Sequence, residues 1–138
     1  MLVLDTDHLS EIEYGTVKGI ALTQRMKQAG QEAVTTIVTV EEQLRGWLAE
    51  LARSRNRERL VAVYELFQSR IGRIKDRRVL PFSAHAASKF AELRSSGIRT
   101  ATMDLRIASI ALIHGATLLT RNLKDIRPIP GLVAEDWL

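Results

Sequence analysis

The sequence predicts an α/β domain in which a mostly parallel sheet lies between two layers of helices. Short β-prone runs at residues 2–4, 33–40, 79–82, 117–119 and 132–134 alternate with segments of helical spacing, the pattern of successive strand–helix–strand units. The runs LVL and TLL are continuously apolar rather than alternating, as strands covered on both faces are. Polar groups follow these strands directly: Asp5 after the first, Thr120, Arg121 and Asn122 after the fourth. In α/β sheets the carboxyl ends of strands are where ligands bind. No repeat, low-complexity tract or linker divides residues 1–138, so one domain is expected.

Taken in order, Leu2–Leu4 is the first strand. A short helix over residues 7–14 follows, with Asp7 or Thr6 as its cap and Gly15 as its breaker. Val17, Ile20, Ala21 and Met26 stand near helical spacing and predict a second helix from Val17 to Lys27. Residues 33–40, AVTTIVTV, are dense in β-branched side chains and read as a strand. Thr39 and Glu42 stand at capping-box spacing, which starts a helix there with Glu42 in its first turn and Leu44, Trp47, Leu48 and Leu51 as its apolar stripe. After a charged break at residues 52–60, a further helix turns Leu60, Val61, Val63, Tyr64, Phe67 and Ile71 to one face. Val79-Leu80-Pro81-Phe82 suits an edge strand, where proline is tolerated. Ser83 caps a helix with Ala84, Ala87, Phe90 and Leu93 inward, ended by Gly97. Over residues 103–114 apolar side chains surround the helix almost completely, so it is expected to be buried, with His114-Gly115 as its stop. Thr117–Leu119 is the next strand, Pro128 and Pro130 mark a loop, and Leu132–Ala134 is the last strand.

Composition narrows the functional classes. With 46% hydrophobic but only 5% aromatic residues the core is aliphatic. The absence of cysteine excludes a disulfide scaffold, thiolate zinc sites and a cysteine nucleophile, and fits a reducing cytoplasm. No apolar run is long enough for a membrane span, and no secretory signal pattern precedes the first strand. The net charge of +4 permits a nucleic-acid partner without demonstrating one. There is no Walker-type glycine loop and no GxSxG, and His8, His85 and His114 lack metal-ligand spacing.

What remains is a set of acids. Asp5 ends a strand, while Glu42 and Asp104 open helices at ends that a parallel sheet brings to the same edge. Two such charges about 4 Å apart repel by roughly 4 kcal/mol at an effective dielectric of 20. A divalent cation among them is the simplest relief, and all-oxygen ligands favour Mg²⁺, with Mn²⁺ as the alternative ion. Singly, each acid has a plainer explanation: a turn residue for Asp5, a capping-box partner for Glu42, a helix-start acid for Asp104. Asn122 read alone caps the following turn. His8 is expected at the surface, and the arginines of residues 53–59 form a solvated helix end.

The segments LVLDTDHLS, TTIVTVEEQLRGWL and TMDLRIASIALIHGATLLTRNLKDIRPIPGLVAEDW resemble PIN-domain ribonucleases, most closely the VapC-type toxins of toxin–antitoxin pairs. The resemblance spans the chain and implies a three-layer α/β/α PIN-like domain with a sheet of four to five strands. It further implies a Mg²⁺-dependent endoribonuclease with a cognate antitoxin, a homodimeric toxin, and contact with operator DNA only through the antitoxin. By the same resemblance Asp5, Glu42 and Asp104 hold the metal, Glu42 because an acid precedes Gly46 by four residues. Asn122 stands where the family often has Asp, and Asp125, three residues on, is the other candidate to complete the catalytic set. Asp7 adds an acid where Asn is common. Two rivals follow from single features. Asn122 would suit a PIN-like domain that binds RNA or a partner without cutting. The DTD start resembles the DxD of haloacid-dehalogenase-type phosphatases.

Overall fold

The computed structural model describes all residues, Met1–Leu138. Its five strands are β1 Leu2–Leu4, β2 Ala33–Thr36, β3 Val79–Leu80, β4 Thr117–Leu119 and β5 Ala134–Glu135. The sheet order is β3-β2-β1-β4-β5 and every pairing is parallel. β1 is central, with Val3 opposite Val34 on one side and Leu118 on the other. The chain runs outward from β1 through β2 to β3, then returns to β4 on the opposite flank. Strand order therefore reverses between β1 and β4, the topological switch point at which such sheets open a crevice.

Side-chain alternation along the strands builds the two helical layers. Val3, Val34, Leu80 and Leu118 point into one core with Ala86 and Leu93 of helix α5 (Ala84–Ser95) and with the buried face of α6 (Thr102–Ile113). Leu2, Leu4 and Leu119 point the other way, onto Leu9 of α1 (Thr6–Glu13) and onto Leu22 and Met26 of α2 (Val17–Ala29). Leu105, Ile107, Ala108, Ile110 and Ala111 of α6 are all buried, as its nearly unbroken apolar circumference requires. Each large side chain so placed contributes roughly 1.5–3 kcal/mol. Gly115, at φ +56°, supplies the left-handed turn from α6 into β4.

Helices α1 and α2 cross too closely for a side chain at Gly19. A Cβ there would stand 2.0 Å from the carbonyl oxygen of Glu11. Thr16 ties the same junction by capping α2 through the Gly19 N–H and donating its hydroxyl to the Glu11 carboxylate. No helix is long and apolar enough to cross a membrane.

Several boundaries differ from the sequence reading, each for a local reason. Asp5 itself, not Asp7 or Thr6, caps α1, because its Oδ1 accepts the Thr6 N–H. The strand expected over residues 33–40 stops at Thr36, whose hydroxyl accepts the Thr39 N–H and starts α3 (Ile37–Arg53). Thr39 thus lies inside the helix, and Glu42 falls in its second turn rather than its first. The last strand lies at Ala134–Glu135 instead of Leu132–Ala134, and a short helix α7, Leu123–Ile126, follows β4.

The expected apolar stripe of α4 (Arg57–Lys75) is not a core face. Only Val63 and Arg70 are buried, while Leu60, Val61, Tyr64 and Ile71 are exposed. Helix α4 leans on α3, with Phe67 edge-on to Trp47 at 6.1 Å, and reaches the end of α1 only through the Arg70 and Arg73 side chains. Arg70 anchors it: its guanidinium lies 5.4 Å from the Tyr14 ring and 5.3 Å from the Trp47 ring, and 3.4 Å from Glu50. On α3, Trp47 is buried as expected but Leu48 is 55% exposed. Likewise Val17 and Ile20 of α2 face outward.

Candidate active site

The switch point brings together residues far apart in the chain. The Asp5 N–H donates to the Leu119 carbonyl, which continues the β1–β4 ladder one step past the strand. Its carboxylate is thereby fixed from two sides: Oδ1 by the Thr6 N–H at 2.6 Å and Oδ2 by the buried Thr120 hydroxyl at 2.7 Å. Thr120 also accepts the Asn122 N–H at 3.1 Å, and the Asn122 Nδ2 donates to Asp104 Oδ2 at 2.9 Å. One hydrogen-bonded chain thus links Asp5 to Asp104 through the end of β4. Across the crevice, Thr6 donates its hydroxyl to Glu42 of α3. Glu41, one residue earlier, turns away to pair with Arg45 at 2.6 Å.

The electrostatics agree with this convergence. Burial pushes the Asp5 carboxyl above the usual range; Thr120 and Thr6 oppose the rise, and the charges of Asp104 and Asp7 add to it. Glu42 is raised first by burial, against its bond from Thr6, and then by Asp5, Asp104 and Glu41. Asp104 is raised by burial, opposed by Asn122, and raised again by Asp125. The acids therefore feel one another, although no three of them are gathered within metal-ligand reach as they stand. The donor set nevertheless suits a hard cation: three half-buried carboxylates, all-oxygen, with their charged forms disfavoured until something positive arrives.

The sequence-derived candidates fall into two groups. Asp5, Glu42, Asp104 and Asn122 meet. Asp125 stands beside them on α7, exposed, sensed by Asp104 but hydrogen-bonded to none of them through its side chain. Asn122 occupies the cap position of α7 without a side-chain capping bond; its amide is spent on Asp104 instead. His8 is not at the surface: it is fully buried, accepting the Trp137 N–H at Nε2, and burial holds its pKa below the ordinary value. Thr6 and Thr120 are the residues whose roles the sequence underplays. Both read as local caps, yet each spans the site. Their signal was adjacency, Thr6 to Asp5 and Thr120 to the end of the strand beside β1. Thr102, in contrast, touches no acid and accepts from Arg94.

A parallel sheet in this order, with acids from β1, α3 and α6 meeting at its carboxyl edge, defines a PIN-like domain. No protein-family model matches the chain. Ribonuclease VapC2 of Rickettsia felis is 31% identical over 109 residues, 76% of this chain and 73% of that protein. The tRNA(fMet)-specific endonuclease VapC of Salmonella typhimurium is 33% identical over 104 residues, 72% and 71% of the two chains. The structure also superposes on a chain of the DNA-bound VapBC complex of Salmonella typhimurium with a TM-score of 0.67 and 26% identity, covering 99% of this chain and 98% of that one. The chain belongs to the VapC family of PIN-domain ribonucleases.

Proposed function

We propose that this chain is the toxin of a toxin–antitoxin pair, a cytoplasmic endoribonuclease that hydrolyses RNA phosphodiesters with Mg²⁺ held by Asp5, Glu42 and Asp104. The observation that carries this reading is the convergence of Asp5, Glu42 and Asp104 on one crevice at the switch point, joined through Thr6, Thr120 and Asn122 and each with its charged form disfavoured first by burial. When bound, the ion supplies Lewis-acid stabilisation of the phosphate and lowers the pKa of the attacking water. The protein's part is orientation. Thr6 and Thr120 hold Asp5, Asn122 holds Asp104, and Thr6 holds Glu42 Oε2. Glu42 Oε1, which Thr6 leaves free, takes the proton of the attacking water in this reading. The Asn122 carbonyl is the nearer candidate to complete the shell, and Asp125 contributes charge at its rim. Mn²⁺ would serve in place of Mg²⁺.

Membership in the VapC family removes the phosphatase alternative. The non-cutting alternative is separated by assay: the purified chain with total RNA should give cleavage products with Mg²⁺ and none with EDTA. Binding without cleavage under both conditions would favour the non-cutting domain.

Two surfaces suit the partners of such a toxin. The exposed stripe Leu60, Val61, Tyr64 and Ile71 on α4 offers apolar area to an antitoxin, through which alone operator DNA would be reached. On α3, Ile37, Val40, Leu44 and Leu48 join Phe82 to line an apolar groove of about 600 Å³. A second copy of the chain fits this groove as a homodimer. Leu48→Arg should then halve the mass seen by light scattering while leaving the melting temperature of the monomer unit nearly unchanged. A variant with unaltered mass would remove this face from the dimer.

A further inference from the structure

Beside the acids lies a second feature that the cleavage reaction as described does not use. A cavity of about 610 Å³ opens between the α5–α6 loop and α7, lined by Gly97, Arg99, Thr100, Lys124, Asp125 and Pro128 among others. Its two walls are joined rather than merely adjacent. Thr100 is buried and donates its hydroxyl to the Asp125 carbonyl at 2.8 Å. Arg94 braces the loop from behind, donating to the Ile98 carbonyl at 2.9 Å and to the Thr102 hydroxyl at 3.3 Å, its guanidinium 5.3 Å from the Phe90 ring. Gly97, at φ +88°, makes the turn that lets the loop fold back.

The cations of this cavity are uncommitted. Arg94 is spent on the loop, whereas Arg99 and Lys124 are exposed and engage no carboxylate or carbonyl of the chain. Elsewhere, Arg45, Arg70, Arg77, Arg78 and Lys89 each have an acidic partner, whereas the arginines of residues 53–59, like Arg99 and Lys124, have none but line no cavity beside the acids. Two free cations stand on facing walls whose backbones are tied together by the Thr100–Asp125 bond, so that one anion can meet both charges. Its position supplies the ligand. Ala101, the cap residue of the helix that carries Asp104, lines the cavity, as do Lys124 and Asp125 of α7, whose cap residue Asn122 binds Asp104, so the cavity adjoins the acid cluster. Any strand with its scissile phosphate at those acids must lay a neighbouring phosphate outside them. Arg99 and Lys124, on the walls of the cavity, are placed to receive that phosphate against the opposing charge of Asp125 on the same lining.

We propose that Arg99 and Lys124 form a phosphate subsite for the RNA backbone next to the cleaved bond. This rests on the nuclease reading and adds to it the path of one flank of the substrate. The contact is to phosphate, so it positions the strand without reading its sequence.

The test uses a fluorescent single-stranded RNA too short to fold, bound to the full-length chain in EDTA so that it is not cut. Anisotropy is followed over a salt series for the wild type, the Arg99→Gln/Lys124→Gln double variant, the charge-retaining Arg99→Lys, and a Lys18→Gln/Lys27→Gln control on α2. Each phosphate contact in a single strand contributes about 0.7 to the salt slope. The double variant should therefore lose about 1.4 from that slope, so that a fourfold rise in salt weakens the wild type about sevenfold more than the variant. Arg99→Lys and the control should keep the wild-type slope. In Mg²⁺, the double variant should raise KM for RNA and leave kcat unchanged. A wild type that cuts RNA while the double variant keeps its slope and KM would overturn the subsite and leave the nuclease reading standing. A wild type that neither binds nor cuts RNA would overturn both. Loss of binding to an acidic peptide, with RNA binding unchanged, would assign the cavity to a protein partner and sink the proposal.

Discussion

Asp5→Asn should lower RNA cleavage by about 10³-fold, the scale on which a preorganised electrostatic contribution is missed, because it removes one charged holder of the proposed ion, while the fold survives. Asn is as good a helix cap as Asp, so the bond from the Thr6 N–H that starts α1 is retained. The informative part is stability against pH. Burial raises the Asp5 carboxyl in the folded state, against the pull of Thr120 and Thr6. A raised carboxyl pKa means that the folded state binds more protons than the unfolded one as pH climbs past the ordinary range near 4. Stability is then lost as pH rises from that range through the folded value. Asn carries no such penalty. The melting temperature of Asp5→Asn relative to wild type should therefore shift in the variant's favour between pH 4 and pH 8, measured in EDTA. Any fixed cost of turning an amide toward Thr120 cancels from this comparison. A pH-independent gap, or a folded variant with full activity, would remove Asp5 from the centre of the site.

The second large effect is the thermal response to Mg²⁺. An ion that binds only the folded chain stabilises it by about 2.7 kcal/mol at a hundred times its dissociation constant. Its ligands must be ionised, and Asp5, Glu42 and Asp104 are all raised in its absence. The Mg²⁺-induced rise in melting temperature should therefore grow with pH, from nothing near pH 4 to its full size above the raised values. Two other shifted groups lie elsewhere. Glu13 is raised by burial against nearby arginines, and buried His8 is lowered, so that its stabilising contribution is lost as pH falls below the ordinary histidine range. Glu13, which feels none of the three acids, drops out of the difference, whereas His8 feels the Asp5 charge, so variants are compared above the ordinary histidine range, where His8 is neutral. Asp104→Asn should abolish most of the Mg²⁺ response, while Glu41→Gln, directed at Arg45, should keep it. An equal response in wild type and Asp104→Asn would mean that the ion binds elsewhere.

Periodicity and position carried much of this architecture into view. The buried β1 and β4, the all-round apolar α6 and the Ser83 cap of α5 follow from patterns a few residues long, and the structure keeps them within a residue or so. The meeting of Asp5, Glu42, Asp104 and Asn122 was legible for a different reason: a parallel sheet places strand ends and helix starts on one edge. Failures occurred where two local signals competed. AVTTIVTV is strongly β-prone throughout, yet the Thr36 hydroxyl at a capping position ends the strand halfway. Spacing made α4 amphipathic, but spacing does not say whether a partner covers the face, and within one chain Leu60, Val61, Tyr64 and Ile71 have none. His8 looked polar enough for the surface; the Trp137 N–H that satisfies it comes from the far end of the chain. The Thr6–Glu42 and Thr120–Asp5 bonds join residues 36 and 115 positions apart, beyond any short-window pattern.

That last separation has a consequence during synthesis. β1 is made before the other four strands of the sheet and lies at its centre, but its partner β4 begins only at Thr117. Contacts so distant in sequence form late, because a long loop must close before they are rewarded. A growing chain that ends before Leu119 lacks both the backbone acceptor for the Asp5 N–H and the Thr120 hydroxyl that fixes its carboxylate. Asp5 and Glu42 have emerged long before this, yet they have no finished crevice to occupy. The order of the strands thus delays assembly of the site until residues 117–120 have been made, a built-in interval before the centre can exist beside the RNA from which it is translated.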